Sequence, residues 1–484
     1  MDVQPIIEKI NTGLYINGEW RPAEGGKTID VVNPATGEVL TTVADGSAAD
    51  AQEAIEVAGA TQKSWAATAP RERGEILRRA WEILIERQDE IAAVMTAEMG
   101  KPFSEAKGEV GYGAEFFRWF AEEAVRIGGD YTMSTDGTTR LMISHEPVGP
   151  AVLVTPWNFP LAMGTRKIGP AIAAGCTMVF KPAQLTPLTS LMLVQALEDA
   201  GLPKGVLNVV TSSSARRVVT PWMESGIARK VTFTGSTDVG IGLLEQAAKN
   251  VMKSSMELGG NAPFIVAEDA DLDKAVEGAM LAKMRNIGEA CTAANRFFVH
   301  RSIADEFSQR LADRMGAMKV GNGLDEGVEV GPLVEEKARD KVASLVNDAV
   351  EKGAKVLTGG AAVDGPGYFF EPTVLTNVSD DSEIRREEIF GPVAPIFVFD
   401  TDEEAIEKAN ETDFGLAGYI FSENIGRALK LSEQLECGMI GLNTGLVSNP
   451  AAPFGGVKQS GLGREGGSVG IEEFLEIKYV ATPR

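Results

Sequence analysis

The chain has 484 residues, with 46 Lys and Arg against 69 Asp and Glu, which gives a formal net charge of −23. It contains two histidines, His145 and His300, and three cysteines, Cys176, Cys291 and Cys437. This inventory excludes a zinc site built from several His or from four Cys, and it excludes a disulfide framework. The acidic balance argues against binding to nucleic acid or to an anionic membrane, because both attract basic surfaces.

The N-terminal segment, MDVQPIIEKINTG, carries acidic residues and lacks the features of a signal peptide or of an Arg-rich transit peptide. No stretch approaches the ~18 uninterrupted apolar residues that a membrane-spanning helix requires. Free thiols suit a reducing compartment. We therefore expect a cytoplasmic protein, with about two to four domains for this length.

The predicted elements begin with a short hairpin at residues 14–23, LYINGEWRPA, whose Asn-Gly pair favours a tight turn. Residues 71–99 predict a helix, because their apolar side chains recur at helical spacing. Residues 126–147 are polar and rich in β-formers, which favours a small β element. From Pro147 onward, short strands and helices alternate in two successive regions. This alternation predicts two α/β domains with parallel sheets.

One glycine loop lies between a predicted strand and a predicted helix. The apolar run 231–234 leads into Gly235-Ser-Thr-Asp-Val-Gly240 and then into an apolar helix. Such a turn can offer free backbone N–H groups to a pyrophosphate, although its G-x-x-x-x-G spacing also fits an ordinary β–α turn. A literal G-x-G-x-x-G at residues 461–466 is rejected as a dinucleotide motif, because no strand precedes it and no apolar helix follows.

The three cysteines have different surroundings. Cys176 and Cys437 adjoin apolar runs and are expected in the core. Cys291 lies in a polar, small-residue stretch between Arg285 and Arg296, and positive potential favours a reactive thiolate. Cys291 is therefore the candidate nucleophile, with a structural thiol as the alternative.

Two other residues are candidates for catalysis. Glu257 precedes two glycines and a strand, where burial could raise the pKa of its carboxyl group and make it a base. Asn158, within TPWNFP after an apolar strand, could donate a hydrogen bond to a developing oxyanion. The alternatives are a surface Glu beside a turn and an Asn that makes a local turn bond.

Seven motifs occur in the order found in the aldehyde dehydrogenase superfamily: TPWNFP, FKPAQLTP, FTGST, ELGGNAP, GEAC, EEIFGP and PFGGVKQSGLGRE. The resemblance covers essentially the whole chain. It implies an α/β aldehyde dehydrogenase fold, with a Rossmann-like cofactor domain, an α/β catalytic domain and a small β oligomerisation arm. The expected ranges are 1–124 and 147–256 for the cofactor domain, 257–450 for the catalytic domain, and 125–146 and 465–484 for the arm.

The resemblance also implies a covalent mechanism. Cys291 would attack the aldehyde carbon, and Asn158 with the Cys291 backbone N–H would form the oxyanion hole. After hydride transfer to a nicotinamide, Glu257 would activate the water that hydrolyses the thioester. This chemistry requires neither a metal nor a histidine, so His145 and His300 should be dispensable for it.

A cofactor site follows from the same resemblance, with ten residues expected in it: Thr155, Pro156, Trp157, Lys181, Ala183, Gln184, Gly235, Ser236, Glu388 and Phe390. Lys181 and Glu388 resemble the ribose-binding pair. Ser236 resembles the pyrophosphate ligand, and Phe390 resembles the residue beside the nicotinamide. Gln184 replaces the family's ribose-binding Glu, and a neutral amide does not repel a 2′-phosphate. The expected cofactor is NADP or NAD, with NADP favoured.

The runs TRKIGPAIAAGCT and PFGGVKQSGLGREG are similar to those of the succinate semialdehyde dehydrogenases. This similarity implies that Arg166, Arg285 and Ser448 hold the carboxylate of a small anionic aldehyde. The alternatives are another ω-oxo acid, such as glutarate or 2-oxoglutarate semialdehyde, and a non-catalytic binding member of the fold. Both arginines could also pair with local acids. The arm implies a homodimer or homotetramer, because its edge strands need covering.

Two departures from the family pattern lie near the candidate nucleophile. GEAC replaces the usual GQxC, so an anionic Glu289 would disfavour the Cys291 thiolate unless its carboxylate points away or pairs with an arginine. Ala293 stands where some relatives carry a second cysteine, so we expect no redox disulfide with Cys291.

Overall fold

The computed structural model describes residues 2–484. Its N-terminal part, up to residue 147, contains five helices and six strands: α1 (Gln4–Ile7), β1 (Leu14–Ile16), β2 (Glu19–Arg21), β3 (Thr28–Val32), β4 (Val39–Ala44), α2 (Ala48–Ala66), α3 (Pro70–Glu86), α4 (Gln88–Met99), α5 (Phe103–Glu123), β5 (Asp130–Met133) and β6 (Thr139–Pro147).

The next part alternates strands and helices, as the sequence predicts: β7 (Ala151–Val154), α6 (Ala162–Ala174), β8 (Met178–Lys181), α7 (Pro187–Asp199), β9 (Leu207–Val209), α8 (Ala215–Glu224), β10 (Lys230–Thr234), α9 (Thr237–Ala248) and β11 (Lys253–Glu257). Strands β9, β8, β7, β10 and β11 lie side by side in that order and are parallel. The hairpin β2–β1 extends the sheet at the β9 edge.

A second alternating part follows: β12 (Ala262–Val266), α10 (Leu272–Met284), β13 (Ala294–His300), α11 (Ala304–Gly316), α12 (Glu336–Glu351), β14 (Lys355–Thr358), β15 (Thr373–Thr376), β16 (Val393–Phe399), α13 (Asp402–Asn410), β17 (Phe414–Gly415), β18 (Ala417–Phe421), α14 (Ile425–Gln434) and β19 (Met439–Leu442). Its seven-stranded sheet has the order β14-β15-β16-β13-β12-β18-β19 and is parallel except at β14.

The C-terminal part contains β20 (Val457–Lys458), β21 (Gly461–Leu462) and β22 (Leu475–Pro483). Strand β21 returns to the first sheet and pairs with β11, which makes that sheet eight-stranded. Strand β22 pairs along its whole length with β6, which in turn pairs with β5. This separate three-stranded sheet is the small β element predicted from the sequence.

Two local predictions can be compared with the structure. The Asn17-Gly18 hairpin is confirmed, because both residues have positive φ (53° and 72°) in the two-residue turn between β1 and β2. The single helix predicted over residues 71–99 is wrong in one respect, since it is interrupted at Arg87 (φ −94°, ψ 16°) and forms α3 and α4. The apolar spacing continues through the break and therefore did not reveal it.

The topology places functional candidates from both sheets at one location. Asn158 follows β7, Ser236 follows β10 and Glu257 ends β11, so all three lie at the carboxyl ends of adjacent parallel strands. Cys291 and Glu388 precede β13 and β16, at the amino ends of strands in the second sheet. Carboxyl ends of parallel strands are where α/β proteins place ligands.

Across residues 2–484, none of the helices combines the length and apolarity needed to cross a bilayer. Within the same described range, no group of three or more His, Cys, Asp or Glu side chains is arranged to hold a metal ion.

Candidate active site

A cavity of about 260 Å³ lies where the two sheets meet. Eight of the predicted site residues line it: Pro156, Trp157, Asn158, Gly235, Ser236, Cys291, Glu388 and Phe390. The other eight do not line it: Thr155, Lys181, Ala183, Gln184, Glu257, Arg166, Arg285 and Ser448. The candidate nucleophile, the candidate oxyanion donor and much of the expected cofactor site therefore share one cavity.

Cys291 follows a tight turn, Arg285–Gly288, in which Asn286 and Ile287 both have positive φ (56° and 61°). The loop also passes very close to Gly260, where a side chain would place a Cβ atom 2.4 Å from the Cys291 carbonyl oxygen. The second glycine of ELGGNAP thus allows the segment after Glu257 to approach the nucleophile.

Burial raises the pKa of the Cys291 thiol to about 12, and the guanidinium groups of Arg166 and Arg285 act in the opposite direction. The thiol is therefore protonated in the free enzyme near neutral pH. Arg296, which the sequence suggested as a neighbouring charge, has a different role. It donates hydrogen bonds to the carbonyl oxygens of Asn261, Lys408 and Ala409.

Asn158 is buried, and both its side chain and its main chain are hydrogen-bonded. Its Nδ2 donates to the Glu289 carbonyl oxygen (3.0 Å). Its own carbonyl oxygen accepts from Lys101 Nζ (2.8 Å) and from Asn286 Nδ2 (3.1 Å). The amide retains a second N–H that can face the cavity, as an oxyanion donor requires.

The Glu257 carboxyl group is buried, and its Oε2 has no hydrogen-bond partner within residues 2–484. Burial, and next the nearby Glu465 carboxylate, raise the pKa of Glu257 well above its usual value. A carboxyl group in this state can take a proton at near-neutral pH, which is the property expected of the base.

Glu465 and Lys167 are functional candidates that sequence reasoning missed. Lys167 Nζ forms a buried ion pair with Glu465 and also donates to Thr234 Oγ1 (2.8 Å). Although burial acts to raise the pKa of Glu465, Lys167 and Arg166 lower it, so Glu465 is charged beside Glu257. Both residues lie within motifs that carry the resemblance, but 298 residues separate them in the chain.

Arg166 does not present a free guanidinium group. It is buried, its Nε donates to Glu465 Oε2 (2.7 Å), and its guanidinium lies 4.1 Å from the centre of the Phe454 ring. The structure therefore agrees with the alternative in which Arg166 pairs with a local acid, here Glu465. Contact between Arg166 and a substrate carboxylate stays a prediction.

Arg285 has different surroundings. Its Nη1 approaches Ser448 Oγ (3.4 Å), and its guanidinium lies over the rings of Phe159 (5.0 Å) and Tyr112 (5.7 Å). Within residues 2–484 it forms no salt bridge, and the Tyr112 hydroxyl has no hydrogen-bond partner. The structure thus brings Arg285 and Ser448 together, as predicted, with unused hydrogen-bond donors beside them.

The expected cofactor residues lie in two different environments. Trp157 and Phe390 meet edge to face across the cavity, with ring centres 5.5 Å apart, and Glu388 Oε1 accepts from Gly260 N–H (3.1 Å). Burial raises the pKa of Glu388 to about 7. Lys181 is buried at the end of β8, where burial lowers its pKa to about 8, whereas Gln184 is exposed.

Glu289 points away from the nucleophile. Its carboxyl group is buried, and Oε1 accepts a hydrogen bond from Val334 N–H (3.1 Å). Burial raises the pKa of Glu289 well above its usual value, which favours the uncharged form of its side chain. A carboxyl group with a raised pKa that accepts from the main chain opposes the thiolate less than an ordinary carboxylate would.

The raised pKa of Glu289 predicts a pH-dependent stability. Since the folded-state pKa is above the unfolded value, its contribution is full below the unfolded pKa and is lost as pH rises through the folded pKa. Glu289→Gln removes this titration. We expect the melting temperature of the variant, relative to the parent protein, to increase between pH 5 and pH 8. Glu351→Gln, at an exposed position, is the control, and an equal response of both variants would contradict the prediction.

Comparison with known proteins agrees with this geometry. The aldehyde dehydrogenase family matches residues 20–480. A succinate-semialdehyde dehydrogenase of Paenarthrobacter nicotinovorans is 57% identical over 442 residues, 91% of this chain and 98% of that protein. A glutarate-semialdehyde dehydrogenase of Pseudomonas putida is 52% identical over 466 residues, 96% of each chain.

Solved structures show the same likeness. An NADP-dependent enzyme of E. coli superimposes with a TM-score of 0.97 at 48% identity and covers 98% of both chains. A succinate-semialdehyde dehydrogenase of Burkholderia pseudomallei also gives 0.97, at 49% identity and with 98% of both chains covered. The fold class predicted from the sequence is confirmed. The chain therefore belongs to the aldehyde dehydrogenase family and is an NAD(P)-dependent aldehyde dehydrogenase.

Proposed function

We propose that this enzyme oxidises a small ω-oxo acid, with succinate semialdehyde as the favoured substrate, through a thioester on Cys291. The observation that carries the proposal is the Arg285 guanidinium, which lies beside Ser448 and forms no salt bridge within the described residues. Arg285 is partly buried, and a guanidinium group without a carboxylate partner is available to pair with the anionic group of a ligand. Glutarate semialdehyde, for which a relative is named, is the second candidate.

The chain's own residues support each chemical step. Cys291 Sγ forms a bond with the aldehyde carbon, and the thiol proton passes to solvent as the carbonyl oxygen becomes an oxyanion. Asn158 Nδ2 and the Cys291 backbone N–H donate to that oxyanion. Glu257, whose pKa is raised, accepts a proton from the water that hydrolyses the thioester.

Features of the cavity suit a dinucleotide beside Cys291. Ser236 is the N-cap of α9, a twelve-residue helix, and its side chain makes no capping bond, so the first N–H groups of α9 are available to a phosphate. Trp157 and Phe390 provide apolar surface beside Cys291. When bound, the nicotinamide accepts the hydride that the oxidation releases.

We favour NADP over NAD because of Gln184. This residue is exposed just after β8 and is neutral, so it places no negative charge where a 2′-phosphate would lie. An E. coli relative that is 49% identical is named as NADP-dependent.

The domain division and the assembly are part of the proposal. The eight- and seven-stranded sheets support the expected cofactor and catalytic domains, with β21 as an addition to the cofactor sheet. The arm exposes large apolar side chains, among them Tyr131 (64% exposed), Ile477 (70%) and Tyr479 (61%). Covering them in a homodimer or homotetramer removes this surface from water.

The substrate class is tested by comparing succinate semialdehyde with butanal, a neutral aldehyde of the same carbon number. Arg285→Ala should raise KM for succinate semialdehyde by roughly 10- to 100-fold, because a charged hydrogen bond contributes about 1.5–3 kcal/mol. Turnover of butanal should change little, because this substrate makes no such bond.

The control for this experiment is Arg301→Ala, which removes an exposed arginine paired with Asp400. The control should leave both substrates unaffected. Equal losses with succinate semialdehyde and butanal in Arg285→Ala, or a parent enzyme without preference for the anionic aldehyde, would contradict the proposed substrate class.

The cofactor preference is tested by Gln184→Glu. A carboxylate at this position repels a 2′-phosphate and accepts from a 2′-hydroxyl group, so kcat/KM should shift toward NAD by about tenfold or more relative to the parent. Gln434→Glu, at an exposed position of α14, controls for the added charge. The preference for NADP is wrong if the parent enzyme turns over NAD a hundredfold faster than NADP.

A further inference from the structure

Lys101 is a fully buried lysine that contacts the loop of residues 158–162, which carries Asn158. No step described so far uses Lys101. It follows Gly100, whose left-handed conformation (φ 103°) ends α4. Its side chain is 1% exposed and forms an ion pair with Glu109 on α5. Its Nζ also donates to the Asn158 carbonyl oxygen (2.8 Å) and lies 4.1 Å from the centre of the Phe159 ring.

Glu109 connects this ion pair to the same loop. Its other carboxylate oxygen, Oε1, accepts from the main-chain N–H groups of Leu161 (3.0 Å) and Ala162 (3.2 Å), at the start of α6. The pair therefore contacts the loop at both ends, through one carbonyl oxygen and two N–H groups. Such a clamp fixes the path of residues 158–162 relative to α4 and α5.

Asn158 is also held from the side of the nucleophile. Asn286 Nδ2 donates both to the Asn158 carbonyl oxygen (3.1 Å) and to the Glu289 carbonyl oxygen (2.8 Å). The Glu289 carbonyl oxygen in turn accepts from Asn158 Nδ2. The Asn158 carbonyl oxygen thus has two donors, and Lys101 is the one that carries charge.

The energetics argue that this ion pair does more than fill space. Burial of an ammonium and a carboxylate costs several kcal/mol per ion before pairing, and apolar residues of similar volume can often replace such pairs without loss of stability. Here the ammonium reaches beyond its partner to a single main-chain oxygen, on the residue whose amide must meet the oxyanion. Oxyanion donors act only when they are held close to the position of the developing charge.

We propose that Lys101 is a positioning residue for the oxyanion hole, which fixes the Asn158 main chain so that the Asn158 amide faces the carbonyl oxygen of the bound aldehyde. The inference rests on the proposed role of Asn158 but not on the proposed substrate. It is therefore tested with butanal as well as with succinate semialdehyde.

The experiment is a double-mutant cycle between Lys101 and Asn158. The kcat and the KM for each aldehyde are measured at saturating NADP, and the Kd for NADP is measured by a separate binding titration. The variant is Lys101→Met/Glu109→Gln, which removes both charges and so leaves no unpaired buried carboxylate. We expect kcat to fall by roughly 10- to 100-fold with both aldehydes, whereas the KM for each aldehyde and the Kd for NADP change less than threefold. Asn158→Ala alone should cost about 10²- to 10³-fold in kcat.

The decisive readout is the combination of the two changes. If Lys101 acts through Asn158, then adding Lys101→Met/Glu109→Gln to Asn158→Ala should lower kcat by less than about twofold more. Additive losses would overturn the proposal, since Lys101 would then act independently of the oxyanion donor. An unchanged kcat in Asn158→Ala would overturn it together with the role of Asn158, whereas failure of the substrate proposal alone would leave the cycle with butanal intact.

Two further variants distinguish a loss of folding from a loss of positioning at Asn158. Lys101→Gln/Glu109→Gln keeps an uncharged hydrogen bond between the two positions, and it should show the same fall in kcat if the Met variant does not fold. Arg73→Met is the matched control, because Arg73 is another buried cation that donates to main-chain oxygens, those of Ala173 and Thr68. It should lower the melting temperature and leave kcat unchanged, and a similar loss of kcat in this control would overturn the proposal.

Discussion

The cost of burying ionisable groups is the constraint on which the rest of this structure depends. A thiol and several carboxyl groups lie between two parallel sheets, where water cannot stabilise their charged forms. Burial raises the pKa of the Cys291 thiol, which is uncharged at rest near neutral pH, and burial together with the Glu465 carboxylate raises the pKa of Glu257. The reaction therefore requires that negative charge develop only after substrate and cofactor bind. Hydrogen-bond donors must already be in position next to the oxygen atom that becomes charged.

The charges that the site does keep are paired. Glu465 stays ionised because Arg166 and Lys167 contact it, and its negative charge adds to the rise in the pKa of Glu257. Arg285 is the exception, because within residues 2–484 its guanidinium forms no salt bridge and contacts a hydroxyl group and two aromatic rings. This contrast between a buried, paired Arg166 and a partly buried, unpaired Arg285 supports an anionic substrate beside Arg285.

The main features of the fold follow from local sequence patterns. Alternating strands and helices predict the parallel sheets, and because carboxyl ends of adjacent strands share one edge, the loops after β7 and β10 meet there. The family motifs were therefore sufficient to predict that Asn158, Ser236 and Cys291 belong to one site, and all three line one cavity. The break between α3 and α4 could not be predicted, since the apolar stripe continues through it.

The side-chain partners were harder to predict. Arg296 lies close to Cys291 in sequence, but its side chain donates hydrogen bonds to the carbonyl oxygens of Asn261 and Ala409. Arg166 and Glu465 are 299 residues apart, and Lys101 and Asn158 are 57 apart. No spacing rule links such pairs, so the ion pair at Arg166 and the clamp at Asn158 emerge only from the tertiary structure.

Thioester formation is assigned to Cys291 and thioester hydrolysis to Glu257. The most direct test of these separate roles is a single turnover of Glu257→Gln with succinate semialdehyde and NADP. Reduced cofactor should form in a burst equal to the number of active sites and then nearly stop. The intact protein should gain the mass of one succinyl group, located on Cys291 by peptide mapping. Continued turnover without a burst, or an acyl group on any other residue, would contradict this mechanism.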